Sequence, residues 1–110
     1  MFPKSLRTPV FHILLALGER GLHGLGIADW IEETTGGAVD LGPGTLYRSL
    51  KEMVEAGLIR ETEAPSAEDD PRRKYYAITR EGRGRVAAEA ARLERLVEVA
   101  RERKLLPERA

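Results

Sequence analysis

Cysteine is absent from the 110 residues. That excludes disulfides, thiolate nucleophiles and thiolate metal ligands, and it fits a reducing compartment. Histidine occurs twice, as His12 and His23, too isolated to hold a metal without cysteine. No apolar run approaches the roughly 18 residues that a membrane span needs. Nor do the first seven residues place a long apolar stretch behind a basic head, as a secretory signal would. The expected location is the cytoplasm. The sequence also lacks a phosphate-cradling glycine loop and any serine–histidine spacing that suggests a nucleophile, so neither an enzyme nor a bound cofactor or metal is expected. Glu68-Asp69-Asp70 invites a cation-site reading, but it sits beside three bases.

Net charge is lacking as well: 18 basic residues balance 18 acidic ones. The balance is a cancellation between segments. Residues 52–70 carry Glu52, Glu55, Glu61, Glu63, Glu68, Asp69 and Asp70 against Arg60 alone. Residues 71–85 carry Arg72, Arg73, Lys74, Arg80, Arg83 and Arg85 against Glu81 alone. A local basic face, not the global sum, is what attracts a polyanion.

With 42% hydrophobic and 33% charged residues, the chain has the composition of one small folded domain with a heavily charged exterior. Val10, Ile13, Leu14 and Leu17 recur at helical spacing and predict a first helix over 8–17, with Thr8 as cap, Pro9 in the first turn and Gly18 as stop. A second helix follows His23-Gly24, with Leu25, Ile27, Ala28 and Ile31 turned inward and Gly36-Gly37 ending it. The third starts at Gly42-Pro43, buries Leu46, Leu50, Met53 and Val54, and closes at Gly57. Two β-like runs, 58–62 and 74–79, flank a polar loop over 64–73 and read as a hairpin. In the second run Tyr75 and Tyr76 alternate, so one is expected inside and the other outside. A last helix spans 80–104. The fold class is mainly α, an α+β winged helix: a three-helix helix-turn-helix core with a β-hairpin wing, plus a long C-terminal dimerisation helix. Residues 1–80 are expected to form a DNA-binding domain and 81–110 a dimerisation helix.

The run Leu41-Gly42-Pro43-Gly44-Thr45-Leu46-Tyr47-Arg48-Ser49-Leu50, followed by Glu55-Ala56-Gly57-Leu58-Ile59, resembles the third helix and first wing strand of PadR-type regulators. Pro71-Arg72-Arg73-Lys74-Tyr75-Tyr76-Ala77-Ile78-Thr79-Arg80-Glu81-Gly82 resembles that family's second wing strand and the turn into its last helix, and His23-Gly24 also matches. The matches cover roughly residues 10–85, in order. Leu25 departs from the aromatic residue the family often has after His-Gly. The chain is similar to the short subfamily, which lacks a larger C-terminal domain. The resemblance implies a homodimer joined through the last helix that represses transcription. In some members a planar aromatic compound at the dimer centre releases DNA. No aromatic residue lies between positions 77 and 110 of this chain, so a flat effector finds no stacking partner on that helix.

In such a motif the third helix enters the major groove. Gly44, Thr45, Tyr47, Arg48 and Lys51 are then outward or lateral. Arg48 suits a guanine edge, and Thr45 a thymine methyl or a phosphate. Tyr47 and Lys51 suit phosphates, which position the protein without reading sequence. Arg72, Arg73 and Lys74 at the base of the wing suit the backbone or minor groove. The competing readings are that Arg48 and Lys51 pair with Glu52 and Glu55, and that the wing bases neutralise Glu68, Asp69 and Asp70. The acidic wing tip is expected to swing away from the duplex or stay mobile. Lys4 and Arg7 form either a basic arm or a frayed end.

In the last helix Val86, Ala90, Leu93, Val97 and Ala100 make a short heptad-like seam that Leu96 broadens. The alternative is that the helix packs only on its own domain. Trp30 is read as core or groove lining, with an effector pocket as its other role. His12 and His23 are read as structural, His23 as a cap for the second helix. The partners expected are double-stranded DNA, a second copy of the chain and a small-molecule effector. The alternative function is a winged-helix module that binds protein instead of DNA.

Overall fold

The computed structural model describes residues 5–108. Pro9 and Pro43 each stand in a first helical turn, where a missing N–H costs nothing, and they start α1 (Thr8–Ala16) and α3 (Pro43–Glu55). The residue capping α1 is Arg7, one position before the expected Thr8. Helix α2 (Gly24–Thr35) is capped by His23, whose ring accepts from the Gly26 N–H, and it ends at Gly36 in the left-handed conformation. Helix α4 (Arg80–Glu102) starts at Thr79, whose side chain accepts from the Gly82 N–H.

Three strands form one antiparallel sheet. The expected hairpin is β2 (Ile59–Thr62) with β3 (Tyr75–Ile78), in a register that pairs Ile59 with Ile78 and Thr62 with Tyr75. A two-residue strand, β1 (Leu22–His23), adds to the other edge of β3, so the order is β1-β3-β2. The element order is that of a winged helix-turn-helix, with α2 and α3 as the motif and β2–β3 as the wing.

One core joins these elements. Ile13 and Leu14 of α1 and Leu17 just after it meet Ile27 and Ile31 of α2, Leu46, Leu50 and Met53 of α3, Leu58 just before β2, and Ile59 and Tyr76 of the wing. Each such side chain contributes about 1.5–3 kcal/mol of burial free energy. Val54 is half-buried against this core, as are Trp30 and Val86.

Two expectations about burial fail. Leu25 is 53% exposed. It occupies the first turn of α2 on the outer face, and Ile27 and Ile31 fill the core instead. Tyr75 is buried along with Tyr76. Tyr76 joins the core, while Tyr75, across the strand, is covered by the His23 ring at 5.4 Å in edge-to-face geometry. β1 is what brings that ring there.

The α3–wing–α4 junction rests on Thr79. Its Oγ1 donates to the Gly57 carbonyl at 2.6 Å and accepts from the Gly82 N–H, while its own N–H donates to Leu58 O at 3.1 Å. The first turn of α4 therefore lies directly on the turn after α3. A Cβ on Gly82 would land on the Leu58 carbonyl oxygen.

Candidate nucleic-acid interface

Helix α3 buries Leu46, Ser49, Leu50 and Met53, which leaves Gly44, Tyr47, Arg48 and Lys51 on its outer face and Thr45 half-buried at the side. Side chains three and four apart share a helix face, so this set forms one stripe. Among the described residues neither Arg48 nor Lys51 takes part in an ion pair; Glu52 is held at 2.7 Å by Arg7. The stripe thus offers two cations and a phenol, and a Cβ at Gly44 would meet nothing, so close backbone approach is open there. Arg7 is turned onto α3, and Lys4 lies outside the described residues.

Tyr47 is 55% exposed, yet its ring lies over the α2 backbone: a Cβ on Gly24 would come within 2.7 Å of its hydroxyl oxygen. Tyr47, His23, Gly24, Leu25, Arg73, Lys74 and Tyr76 line an open cleft of about 400 Å³ between α2, α3 and the wing. Of the wing residues, Arg73 and Lys74 line this cleft beside Tyr47 of the α3 stripe, whereas Arg72 does not and pairs with Asp70. Leu25 and His23 are site residues that sequence reasoning missed. The Leu25 signal was its place in the first turn of α2, next to the cap.

The wing bases are engaged with acids. Arg72 donates to Asp70 through Nε (3.1 Å) and Nη2 (3.3 Å) and through its backbone N–H (2.9 Å). Arg73 Nε stands 3.7 Å from the other Asp70 oxygen, and Lys74 Nζ stands 3.4 Å from Glu61. The tip carries pairs of its own: Arg20 holds both oxygens of Asp69, at 2.9 and 3.1 Å, and Ser66 donates to Asp69 from N and Oγ. The neutralising reading of the wing bases therefore describes this conformation, with Asp70 and Glu61 as the partners of Arg72, Arg73 and Lys74, and Asp69 occupied by Arg20.

His23 links the wing to α2. Its Nδ1 accepts from Gly26 at 3.0 Å, and Arg73 Nη1 lies 3.2 and 3.4 Å from its two ring nitrogens. Burial and the Arg73 charge hold its pKa below the ordinary histidine value, against the opposing pull of Asp69, Asp29 and Asp70. Since the folded state favours the neutral ring, its stabilisation is complete above the unfolded value of about 6.5 and is lost as pH falls below it. The expected result is a melting temperature that drops between pH 7 and 5.5, less steeply in His23→Asn, which keeps an acceptor for Gly26. Equal slopes would remove His23 from this role. His12 Nδ1 donates to the Thr8 carbonyl at 2.8 Å and is structural.

Helix α4 divides in two. Gly82 and Glu89 are buried and Val86 packs on the core, so the inner end of the proposed seam, at Val86, faces its own domain. Glu89 is paired with Arg92 at 2.6 Å, which holds its carboxyl below the usual range, with help from the Leu6 N–H. Beyond it Leu93 and Ala100 are half-buried, Ala90 is exposed, and Leu96 and Val97 are 52% and 39% exposed. Among the described residues no helix is long and apolar enough to cross a membrane, and no cluster of three potential ligands gathers for a metal ion.

Comparison with known proteins agrees with this arrangement. The chain is similar to a PadR family transcription regulator from Clostridium difficile, with a TM-score of 0.74 at 25% identity over 87% of this chain and 97% of that one. It is similar to RosR of H. salinarum, with a TM-score of 0.63 at 30% identity over 94% and 98%. Its fold is also that of Bacillus subtilis PadR, solved in complex with operator DNA, with a TM-score of 0.62 at 22% identity over 74% of this chain and 45% of that one. No match was found among curated proteins. The model of the transcriptional regulator PadR-like family matches residues 13–88, and the chain belongs to that family.

Proposed function

We propose that this regulator is a repressor that binds a palindromic operator as a homodimer in the cytoplasm, reading bases with α3 and holding the backbone with the wing. The observation that carries the reading is the exposed α3 stripe, with Arg48 and Lys51 free of ion pairs among the described residues. Arg48 is the base reader; Gly44, Thr45, Tyr47 and Lys51 approach the groove walls and phosphates; Arg72, Arg73 and Lys74 meet the backbone or minor groove. Residues 1–80 then form the DNA-binding unit and 81–110 the dimerisation helix. What supports the dimer is the outer half of α4, a helix of 23 residues that at about 1.5 Å per residue is about 34 Å long in all. It leaves Ala90, Leu93, Leu96, Val97 and Ala100 available to a second copy, with Val86 at the inner end.

Release by a small-molecule effector is the part that only the family resemblance suggests. α4 has no aromatic residue and Trp30 is half-buried on the core, so any ligand site would be apolar rather than a stacking clamp. A ligand screen read out by melting temperature and DNA affinity tests it.

The DNA reading is tested by fluorescence anisotropy with duplex from upstream of the gene and a scrambled control. Arg48→Ala weakens binding to the preferred duplex by about 1–3 kcal/mol and relaxes selectivity. Arg73→Ala weakens the preferred duplex and, to a smaller extent, the scrambled one, and lowers the salt slope by about 1. A double variant that binds as the wild type does contradicts the surface assignment. The engagement of all three wing bases with acids is the observation that favours a protein-binding module instead, and absence of salt-sensitive DNA affinity together with a stable protein partner would establish that reading.

A further inference from the structure

The two basic surfaces differ in one respect. The α3 cations are in no ion pair among the described residues, whereas every wing cation at positions 72, 73 and 74 faces a carboxylate of its own chain. A carboxylate and a phosphate offer an arginine the same chemistry, two anionic oxygens that accept parallel N–H bonds. Asp70 takes this role fully: it accepts from Arg72 Nε, Arg72 Nη2 and the Arg72 backbone, and its second oxygen faces Arg73. Its pKa is lowered mainly by the Arg72 hydrogen bonds, with the Arg73 charge adding to them. The loop carrying it makes the Arg20–Asp69 pair with the turn after α1, the two Ser66 bonds to Asp69, and a backbone bond from the Arg73 N–H to the Asp70 carbonyl at 3.2 Å. Asp70 is thus placed beside the arginines by several local contacts together, a backbone hydrogen bond among them.

We propose that Asp70 is an intramolecular phosphate mimic that latches the wing: it occupies Arg72 and Arg73 in the free protein and must yield them when DNA binds. This inference rests on the DNA-binding reading above. Exposed ion pairs are weak, about 0–1 kcal/mol, so the latch does not block a phosphate that the α3 contacts have already brought into register. Against an unregistered duplex, with no base contacts to help, the wing gives little, and Asp70 holds down indiscriminate binding. Asp70 is therefore a specificity-determining residue that touches no base.

The test uses Asp70→Asn in the full chain. Asparagine keeps an oxygen for the Arg72 backbone N–H and so preserves the turn, and an unchanged melting temperature checks this. Anisotropy is measured with the preferred and the scrambled duplex across a salt series, for wild type, Asp70→Asn, Arg72→Ala/Arg73→Ala and the triple variant. The latch predicts that Asp70→Asn binds scrambled duplex about 3–10-fold tighter and gains less on the preferred one. It also predicts a salt slope steeper by about 1, as one more net positive charge displaces counterions. The gain disappears in the triple variant, because the arginines are what Asp70 restrains. Unchanged or weaker binding by Asp70→Asn, or a gain that persists without the arginines, overturns the latch and leaves the DNA reading standing. If neither wild type nor Asp70→Asn binds any duplex at low salt, both fall. If only Asp70→Asn binds, the latch stands and the operator reading of the wild type falls.

Discussion

Gly82→Ala is expected to destabilise the protein more than any surface substitution, by about 2–3 kcal/mol, the cost of forcing an extra methyl group into a closed contact. In a chain of this size that lowers the melting temperature by about 10 °C or more. The added Cβ would meet the Leu58 backbone carbonyl, not a movable side chain. Leu58 O already accepts from Thr79, whose hydroxyl is shared between Gly57 and Gly82. Relief requires α4 to lift from the turn after α3, which loosens the α4 cap and the wing anchor together. Alanine is otherwise the better helix former, by about 0.8–1 kcal/mol, so the sign of the effect separates the two arguments. Thermal unfolding of Gly82→Ala beside Gly84→Ala decides it, since a Cβ at Gly84 meets nothing and that variant should be as stable as the wild type or more so. Equal behaviour of the two would remove the close approach from the account.

Leu96→Arg carries the second large effect, on assembly. Leu96 is 52% exposed in the single chain, so the substitution leaves the protomer fold within about 0.5 kcal/mol of the wild type. In a dimer built on the outer half of α4 it would place a charge in an apolar seam, with no carboxylate assigned to receive it. Sedimentation should then show a monomer where the wild type is a dimer. Operator affinity should fall by about 100-fold or more, because two half-sites no longer bind as one linked event. A variant that stays dimeric with unchanged affinity would move the interface elsewhere, Leu105 and Leu106 being the other exposed apolar pair near the end of the chain.

The architecture was legible because its signals are local. Helix α3 is announced by Gly42-Pro43 and the Leu46, Leu50, Met53 spacing, and the β2–β3 hairpin by two β-rich runs around a polar loop. The stripe of Tyr47, Arg48 and Lys51 followed from the same periodicity, since fixing the buried face fixes the exposed one. What escaped depends on residues distant in sequence. β1 has two residues, too few for any period, and without it neither the His23–Tyr75 contact nor the burial of Tyr75 can be foreseen. The wing bases and acids were both visible, but not which pairs close, nor that Arg20, far back after α1, holds Asp69. Val86 sits on the heptad seam by spacing alone; the packing of α4 on α1 turns it inward. The Thr79 clasp joins two segments that the family resemblance had singled out separately, and its physical sense, a hydroxyl shared between two glycine backbones, appears only in three dimensions.

The central claim is sequence-specific binding by a symmetric dimer through α3. The most direct test is selection of duplexes from a random-sequence pool by the purified chain at near-physiological salt, followed by sequencing. The account predicts enrichment of an inverted repeat whose half-site centres lie about 10–10.5 base pairs, or a multiple of that, apart, with a guanine in each half-site whose preference disappears in Arg48→Ala. Enrichment of no sequence, or of one without two-fold symmetry, would contradict it.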